Sequence, residues 1–312
     1  MNFYQSLIWK TISKDIFKKE IFEIDLFWKN YWWVIKPHKK FWIKLRWFQV
    51  LGVELPNNVL EITSAINEVK NNFGKFWDIF FQFGFINQLN EPFFKNRKQI
   101  ENNLKTYGLF PSIRENMPLA TVVVDIDKTD EDILKSFSST ARRYVRKAIK
   151  EGLYFKIAEK EEINQFYSLW SDVAKQKGFH IYPFEYYRNL LDYLKSSKNW
   201  DLYLVKKDNK ILAGSIQINE GKNSYYLYWA SNKNFLKIWA HYFLKFEMFK
   251  YLKQLWIKKV DLLGVSPEWL ENHYLKWVSQ FKHSLGWNHI EYYGNYDLPL
   301  NKLFYSVVKL IK

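Results

Sequence analysis

The 312-residue sequence contains no cysteine. A disulfide framework and a thiolate metal site are therefore excluded, and the absence favours a reducing cytosolic environment over a secreted one. The six histidines are scattered without the spacing of metal ligands, and the chain has neither a phosphate-binding glycine loop nor a Ser-His-Asp signature. We therefore expect no metal and no tightly bound cofactor.

Long hydrophobic runs are also missing. The most apolar window, residues 76–86, includes Asp78 and Gln82 and is too short to span a bilayer. The first residues lack the basic start and apolar run of a signal peptide. We therefore predict a soluble cytoplasmic protein, for which peripheral contact with the inner face of the membrane stays open.

Acidic residues are few, since 32 Asp and Glu stand against 47 Lys and Arg, giving a formal net charge of +15. Such an excess indicates a polyanionic partner such as RNA, nucleotide phosphates or an anionic membrane surface. The alternative is a lysine-rich composition with solvated lysines. Composition alone does not separate the two.

The order of helices and strands indicates an α/β protein with a mixed sheet. Residues 117–126 form a β-branched run typical of a buried strand, and a helix and a strand follow it. From residue 161 the pattern predicts two helices, three antiparallel strands, a helix and a buried strand, which is the order of an acetyltransferase-like (GNAT-like) domain. We predict two such tandem domains: a degenerate one at 1–155 and a second at 156–312, whose last helix is able to pack back on the first.

Several blocks of the sequence resemble one enzyme family. In chain order they are FYQSLIW (3–9), ATVVVDI with the Arg-rich stretch after it (120–153), FYSLWSDVAKQKGF (166–179), YYLYWAS (225–231), KKVDLLGV (258–265) and VSQFKHSLGWN (278–288). No single block is specific. Together, and in this order, they are similar to the Fem-type (FemABX) aminoacyltransferases along nearly the whole chain. The chain looks like the short, two-domain form without a helical arm.

The resemblance implies a cytoplasmic monomer that adds amino acids from aminoacyl-tRNA to the stem peptide of a peptidoglycan precursor in cross-bridge synthesis. Charged tRNA would be the co-substrate, with no other cofactor. The acceptor, lipid II or UDP-MurNAc-pentapeptide, stays open, as does the amino acid.

Two alternatives remain beside this expectation. One is an acyltransferase of the same fold that uses CoA or another donor, and the other is a non-catalytic basic module that binds RNA or a membrane. Residues 231–241, at the position of a CoA loop, contain no glycine, which argues against CoA because such a loop holds the pyrophosphate with close backbone N–H groups.

The pair Phe281 and Lys282 matches the family's Phe-Lys motif. Aminoacyl transfer to an amine passes through a tetrahedral oxyanion, and a fixed cation facing this oxygen lowers the barrier. The resemblance implies that Lys282 meets that oxyanion or the terminal tRNA phosphate, with Phe281 packed beneath it or stacked on the terminal adenine. A solvated surface lysine is the alternative. Asp261, an acid inside an apolar strand, is a candidate general base or else braces the turn.

For the precursor, the family pattern has an arginine and a tyrosine four residues apart, plus a tyrosine on the central strand. Tyr186 and Tyr228 match the two tyrosines, whereas Tyr182 stands at the arginine position and Arg188 lies nearby. All four are candidate substrate-binding residues, and the departure at Tyr182 leaves open which residue contacts the diphosphate. A core role is the alternative for each tyrosine.

A basic stretch precedes the second predicted domain. Arg142, Arg143 and Arg146 lie within about one helical turn and can bind tRNA phosphates, and each such contact makes affinity salt-sensitive. A solvated basic face is the alternative.

Glycine is scarce and tryptophan abundant, with 11 and 15 residues. Trp229, Trp256, Trp277 and Trp287 stand where the family usually has glycine, a residue that tolerates φ > 0 beside strand ends and turns. Some bacteria read UGA as glycine. We hypothesise that several of these tryptophans are glycines in the living protein, the alternative being a truly aromatic-rich chain. UGG codons at these positions of the gene would contradict the hypothesis.

Overall fold

A computed structural model of the chain describes residues 3–27, 29–37, 45–56, 59–89, 97–196, 200–232, 239–286 and 288–310. The chain divides into two compact units, one of Met1–Ala120 with Ile290–Lys312 and one of Thr121–His289. The sequence predicts a boundary at residue 155 instead. The structure differs because the strand at Ala120–Asp125 hydrogen-bonds to the strand at Lys259–Asp261, which brings the Arg-rich stretch into the second unit.

The secondary structure follows the chain in a mixed α and β order. The helices are α1 (Leu7–Thr11), α2 (Val59–Asn72), α3 (Arg97–Thr106), α4 (Asp130–Ser136), α5 (Ser139–Lys150), α6 (Glu162–Lys177), α7 (Phe184–Ser196), α8 (Ala240–Gln254), α9 (Lys276–His283) and α10 (Lys302–Leu310). The strands are β1 (Ile21–Leu26), β2 (Lys29–Pro37), β3 (Arg46–Val53), β4 (Asp78–Gln88), β5 (Phe110–Pro111), β6 (Ala120–Asp125), β7 (Tyr154–Ile157), β8 (Trp200–Lys207), β9 (Lys210–Glu220), β10 (Asn223–Ser231), β11 (Lys259–Asp261) and β12 (His289–Pro299).

The first unit is built on a sheet of order β1-β2-β3-β4-β12, with β5 beside β12. From Asp78 onward, the most apolar window of the sequence lies in β4, which is buried on both faces. Phe81 faces the main core, and Phe80 packs with Tyr305 of α10. The polar residues of this window are paired, because Asp78 binds Arg46 and Gln82 reaches Asp297. None of the helices described here is both long and apolar enough to cross a membrane.

The second unit has a sheet of order β6-β11-β10-β9-β8-β7, in which only β10 and β11 are parallel. This mixed sheet confirms the predicted α/β, GNAT-like fold class. The parallel pair is short, since β11 matches β10 only at its first three residues, Asn223 to Tyr225. Beyond them, β10 continues past a β-bulge at Tyr226 and Tyr228. The end of β11 and the outer half of β10 position the candidate site.

Two tryptophans have backbone conformations that favour glycine. Trp256 follows the last residues of α8 with φ +62°, and its side chain is 84% exposed. The N–H of Ile257 bonds back to the carbonyl of Leu252 there, as in the left-handed helix ending for which glycine is usual. Gly178 ends α6 in the same conformation. Trp239, which the sequence does not single out, precedes α8 with φ +55°.

Among the described residues, Trp229 and Trp277 carry no such signal. Trp277 is exposed within the first turn of α9, Trp229 is half-buried in β10, and Trp287 lies outside the described residues. The codon hypothesis stays a prediction. Backbone geometry supports it at Trp256 and makes Trp239 a further candidate for a position that is glycine in the living protein.

Replacing Trp256 with glycine is expected to raise the free energy of unfolding by about 1 kcal/mol, because the left-handed conformation strains a residue that has a Cβ. Little burial is lost with so exposed a side chain. Urea unfolding of Trp256→Gly measures the gain. Gly178→Ala is the matched control and is expected to lose a similar amount, and a destabilised Trp256→Gly variant would contradict this explanation.

Candidate active site

Lys282 is a buried lysine rather than a surface one, with 5% of its area exposed. It lies on α9, and its Nζ donates hydrogen bonds of 2.8 Å to the carbonyl oxygens of Leu263 and Gly264. Burial lowers the pKa of Lys282 to about 7, an effect that the charge of Asp261 opposes. A lysine with such a pKa can gain or lose a proton near neutral pH.

Asp261 holds the loop that supplies these carbonyls. Its Oδ1 accepts a hydrogen bond of 2.8 Å from the N–H of Leu263 and another from the hydroxyl of Thr121. Leu263 has φ +54°, a conformation that this side-chain bond helps to maintain. Burial raises the pKa of Asp261 above its usual value, while these hydrogen bonds and the charge of Lys282 lower it. For Asp261 the sequence leaves two roles open, a general base and a brace for the turn, and this geometry favours the brace.

Phe281 lies in an aromatic group at the start of α8. Its ring centroid is 5.0 Å from that of His241, 5.2 Å from Tyr242 and 5.7 Å from Trp229. Burial lowers the pKa of His241 to about 4, so this imidazole is neutral at pH 7. Phe281 therefore presents a half-buried ring beside neutral, mostly aromatic neighbours.

A second buried lysine lies near Lys282 and was not predicted from the sequence. Lys245 of α8 is fully buried, with its Nζ 2.9 Å from the ring centroid of Tyr226 and 3.9 Å from the sulfur of Met248. Burial, together with the charge of Lys282, lowers the pKa of Lys245 well below its usual value. No carboxylate pairs with it among the described residues, so no ion pair offsets the cost of its burial.

The structure brings the candidate precursor tyrosines together. The hydroxyls of Tyr186 and Tyr228 are 3.0 Å apart, and the rings of Tyr182 and Tyr186 are 4.3 Å apart. Burial raises the pKa values of both Tyr186 and Tyr228, so their hydroxyls stay protonated. Arg188 is exposed on α7, two residues after Tyr186. Tyr182 is 46% exposed and can meet a ligand, unlike the buried Tyr186.

Two residues that the sequence reasoning missed complete this tyrosine group. Trp170 of α6 donates a hydrogen bond of 3.0 Å from its indole nitrogen to the hydroxyl of Tyr187, whose ring centroid is 5.2 Å from that of Tyr228. Trp170 lies in the family-like block 166–179, and Tyr187 follows Tyr186 directly. Aromatic residues are so common in this chain that residue type alone did not indicate a role for either. Along β10, Tyr228 faces this group while Trp229 contacts Phe281.

The three arginines of α5 differ in what they contact. Arg142 donates to the carbonyl oxygens of Lys135, at 3.0 Å, and of Phe137, where α4 ends. Arg143 and Arg146 are exposed on the same helix. The candidate CoA-loop segment falls largely at 233–238, outside the described residues, so the structure says nothing about the predicted lack of a CoA loop.

The fold defines the chain as a GNAT-type α/β protein, and comparison with known proteins gives its family. The model of the FemAB family matches residues 110–206 and 194–312. The chain therefore belongs to the FemAB family, and the resemblance found in the sequence is confirmed.

Relatives and solved structures agree with this assignment. Lipid II:glycine glycyltransferase of Staphylococcus epidermidis is 25% identical over 258 residues, covering 62% of this chain and 62% of that protein. The match thus spans less than two thirds of the relative's length. The crystal structure of FemX has a TM-score of 0.77 at 18% identity, covering 98% of this chain and 94% of that one. A tandem GNAT protein from the clavulanic acid pathway has a TM-score of 0.51 at 10% identity, covering 87% and 79%. Both structures support the fold alone.

Proposed function

We propose that this protein is an aminoacyltransferase that moves an amino acid from charged tRNA to the stem-peptide amine of a peptidoglycan precursor. The lipid-linked form of the precursor is favoured, because the relative is named for lipid II. The observation that carries the proposal is Lys282, buried and held at its Nζ by the carbonyls of Leu263 and Gly264. A solvated surface lysine would not be held in this way.

The chemistry requires a proton to move. The acceptor amine attacks the ester carbonyl, a C–N bond forms, and the carbonyl oxygen becomes an oxyanion. The ester C–O bond then breaks, so the amine loses a proton overall and the ribose oxygen of the tRNA gains one. A neutral Lys282 accepts the proton of the amine. The resulting ammonium donates a hydrogen bond to the oxyanion and then transfers its proton to the leaving ribose oxygen. A pKa of about 7 suits both steps.

The surrounding residues have supporting roles in this proposal. Asp261 is a positioning residue, because its bonds to the Leu263 N–H and Thr121 fix the loop carbonyls that orient Lys282. Phe281 offers a ring for the terminal adenine of the tRNA. Tyr182 and Arg188 are exposed and bind the precursor. Tyr186 and Tyr228 are joined by their hydroxyls, and Tyr186 packs against the ring of Tyr182 and so positions it.

The direct test is transfer of a radiolabelled amino acid from charged tRNA to lipid II in detergent, with a UDP-linked muropeptide as the alternative acceptor. Labelled acetyl-CoA serves as the control donor, since a GNAT-type fold also suits acetyl transfer. Label on the muropeptide from tRNA supports the proposal. Acetyl transfer without any transfer from charged tRNA would reject it.

The exposed arginines of α5 are expected to contribute to tRNA binding. Arg143→Gln and Arg146→Gln should each weaken binding and reduce the slope of log affinity against log salt by about 1, as expected for one lost phosphate contact. Filter binding of charged tRNA at several salt concentrations measures this.

Arg142→Gln is the matched control on the same helix. It is expected to leave the salt slope unchanged and to lower the free energy of unfolding by about 1.5 kcal/mol, because its bonds to the carbonyls of Lys135 and Phe137 are lost. A salt slope that falls equally in all three variants would show that the helix acts as one undifferentiated basic face.

A further inference from the structure

The first unit has a cavity of about 850 Å³ with lysines around it. It lies among the ends of α2, α3 and β12 and one side of α10. Lys70, Lys105, Lys302 and Lys309 line it, together with the hydroxyl-bearing Thr106 and Ser306. None of the described lining residues is acidic, and none of the four lysines has an ion-pair partner within the described part of the chain. The cavity is therefore strongly positive.

Apolar side chains adjoin the cavity on α10. Leu303 and Leu310, two helical turns apart, are 72% and 84% exposed. Lys302 and Lys309 have the same seven-residue spacing, so the outward side of α10 carries a lysine pair next to a leucine pair. The inward side is accounted for, because Tyr305 and Val308 are buried in the core. The leucines thus cover nothing within the described part of their unit.

Two more exposed aromatic residues extend this surface. Phe76 and Trp77 precede β4 with their ring centroids 4.7 Å apart, and Phe76 lies 5.6 Å from Phe304 of α10. The side-chain amide of Asn301 fixes the segment by donating to the Phe76 carbonyl at 3.1 Å. We call this surface the α10 face; it comprises Phe76, Trp77, Leu303, Leu310 and the four cavity lysines.

We propose that the α10 face binds the surface of an anionic lipid bilayer, with lipid phosphate groups at the lysine-lined cavity and the leucines and aromatics inserted at the acyl boundary. A partner must be negatively charged and apolar at once to satisfy both halves of the face. RNA satisfies the lysines but leaves exposed leucines uncovered. This inference rests on the proposed function in one respect: a lipid-linked acceptor is presented at such a surface.

Sedimentation of the protein with vesicles tests the α10 face. We expect binding to vesicles of phosphatidylcholine with phosphatidylglycerol, and little binding to phosphatidylcholine alone. The double variant Lys302→Gln/Lys309→Gln should lower the partition coefficient about 25-fold, since each lysine near an anionic surface contributes about fivefold. Leu303→Ser/Leu310→Ser should lower it at least tenfold through the loss of apolar insertion.

Matched controls lie elsewhere on the chain. Leu60 is 77% exposed on α2, but its cavity is lined by Asp25, Glu61 and Glu68, so Leu60→Ser should not alter binding. Lys175→Gln/Lys177→Gln removes two charges from α6 and should have less than a threefold effect. Equal losses in the controls and in the α10 variants would overturn the proposal. So would α10 lysine variants that lose tRNA binding but keep vesicle binding.

Transfer to a UDP-linked muropeptide, measured in parallel without lipid, separates this proposal from the proposed function. Variants of the α10 face should transfer to the soluble acceptor within twofold of the unmodified protein. If vesicle binding requires the α10 face but the protein transfers no amino acid, the membrane-binding proposal stands and the proposed function is rejected. Transfer with no vesicle binding would reject the surface alone.

Discussion

Lys282→Met is expected to lower kcat/KM for aminoacyl transfer by about 100-fold or more, because the amine loses its proton acceptor and the oxyanion loses its donor. Methionine fills a similar volume and leaves no buried charge, so the fold should persist. Single-turnover transfer from charged tRNA measures the loss. Lys282→Arg is expected to be as inactive as Lys282→Met, since a guanidinium stays charged and cannot accept a proton.

Lys245→Met is the matched control, because Lys245 is also a buried lysine but has an aromatic ring rather than loop carbonyls at its Nζ. It should retain transfer within about tenfold. Near-normal transfer by Lys282→Met would reduce Lys282 to a structural residue, and full activity of Lys282→Arg would mean that a fixed cation suffices.

The pH dependence of the free energy of unfolding tests the lowered pKa of Lys282 without any measurement of activity. Its pKa falls from 10.5 to about 7 on folding, so between these values the unfolded chain binds more protons than the folded one. The contribution of Lys282 to stability therefore increases as pH rises from about 7 toward 10.5. The difference in unfolding free energy between the unmodified protein and Lys282→Met should show this rise.

Asp261→Asn is expected to move the rising limb of the pH profile of kcat/KM to lower pH by about one unit. The charge of Asp261 raises the pKa of Lys282, so removing that charge lets Lys282 lose its proton more readily. Asparagine keeps an oxygen that can accept from the Leu263 N–H, so the loop should hold. Transfer rates across roughly pH 5.5 to 9, the range over which a pKa near 7 is resolved, measure the shift.

Asp261→Ala separates charge from bracing. It removes the acceptor for both the Leu263 N–H and the Thr121 hydroxyl, and should destabilise the fold by about 1 to 3 kcal/mol while also lowering turnover. An Asp261→Asn profile that loses its rising limb altogether would instead mark Asp261 as the general base. That outcome would contradict the positioning role proposed for it.

The fold class could be predicted from the sequence because β-branched runs and helical periodicity indicate the order of the helices and strands. The β-branched run became β6. Asp208 and Asn209 form a left-handed hairpin turn, a conformation that Asp and Asn adopt readily. Family blocks located Lys282 without revealing its environment. Its carbonyl partners belong to a loop 18 and 19 residues away, and periodicity does not report such a long-range contact.

The break between α4 and α5 and the burial of Lys245 were also not predicted, because both depend on contacts that a sequence pattern does not report. The predicted helix through the Arg-rich stretch is two helices, because Ser138 caps α5 with its side chain on the Ala141 N–H. That break turns Arg142 toward the carbonyls at the end of α4. Lys245 resembles any other lysine of a basic chain, and only the packing of α8 on Tyr226 makes it a buried amine.

Single-turnover transfer from radiolabelled aminoacyl-tRNA to lipid II, run beside Lys282→Met, decides whether Lys282 moves the proton when a charged tRNA gives its amino acid to a muropeptide. We expect label on the muropeptide with the unmodified protein and a loss of about 100-fold or more in the variant. No transfer from any charged tRNA, with acetyl-CoA accepted as donor, would contradict the proposed function.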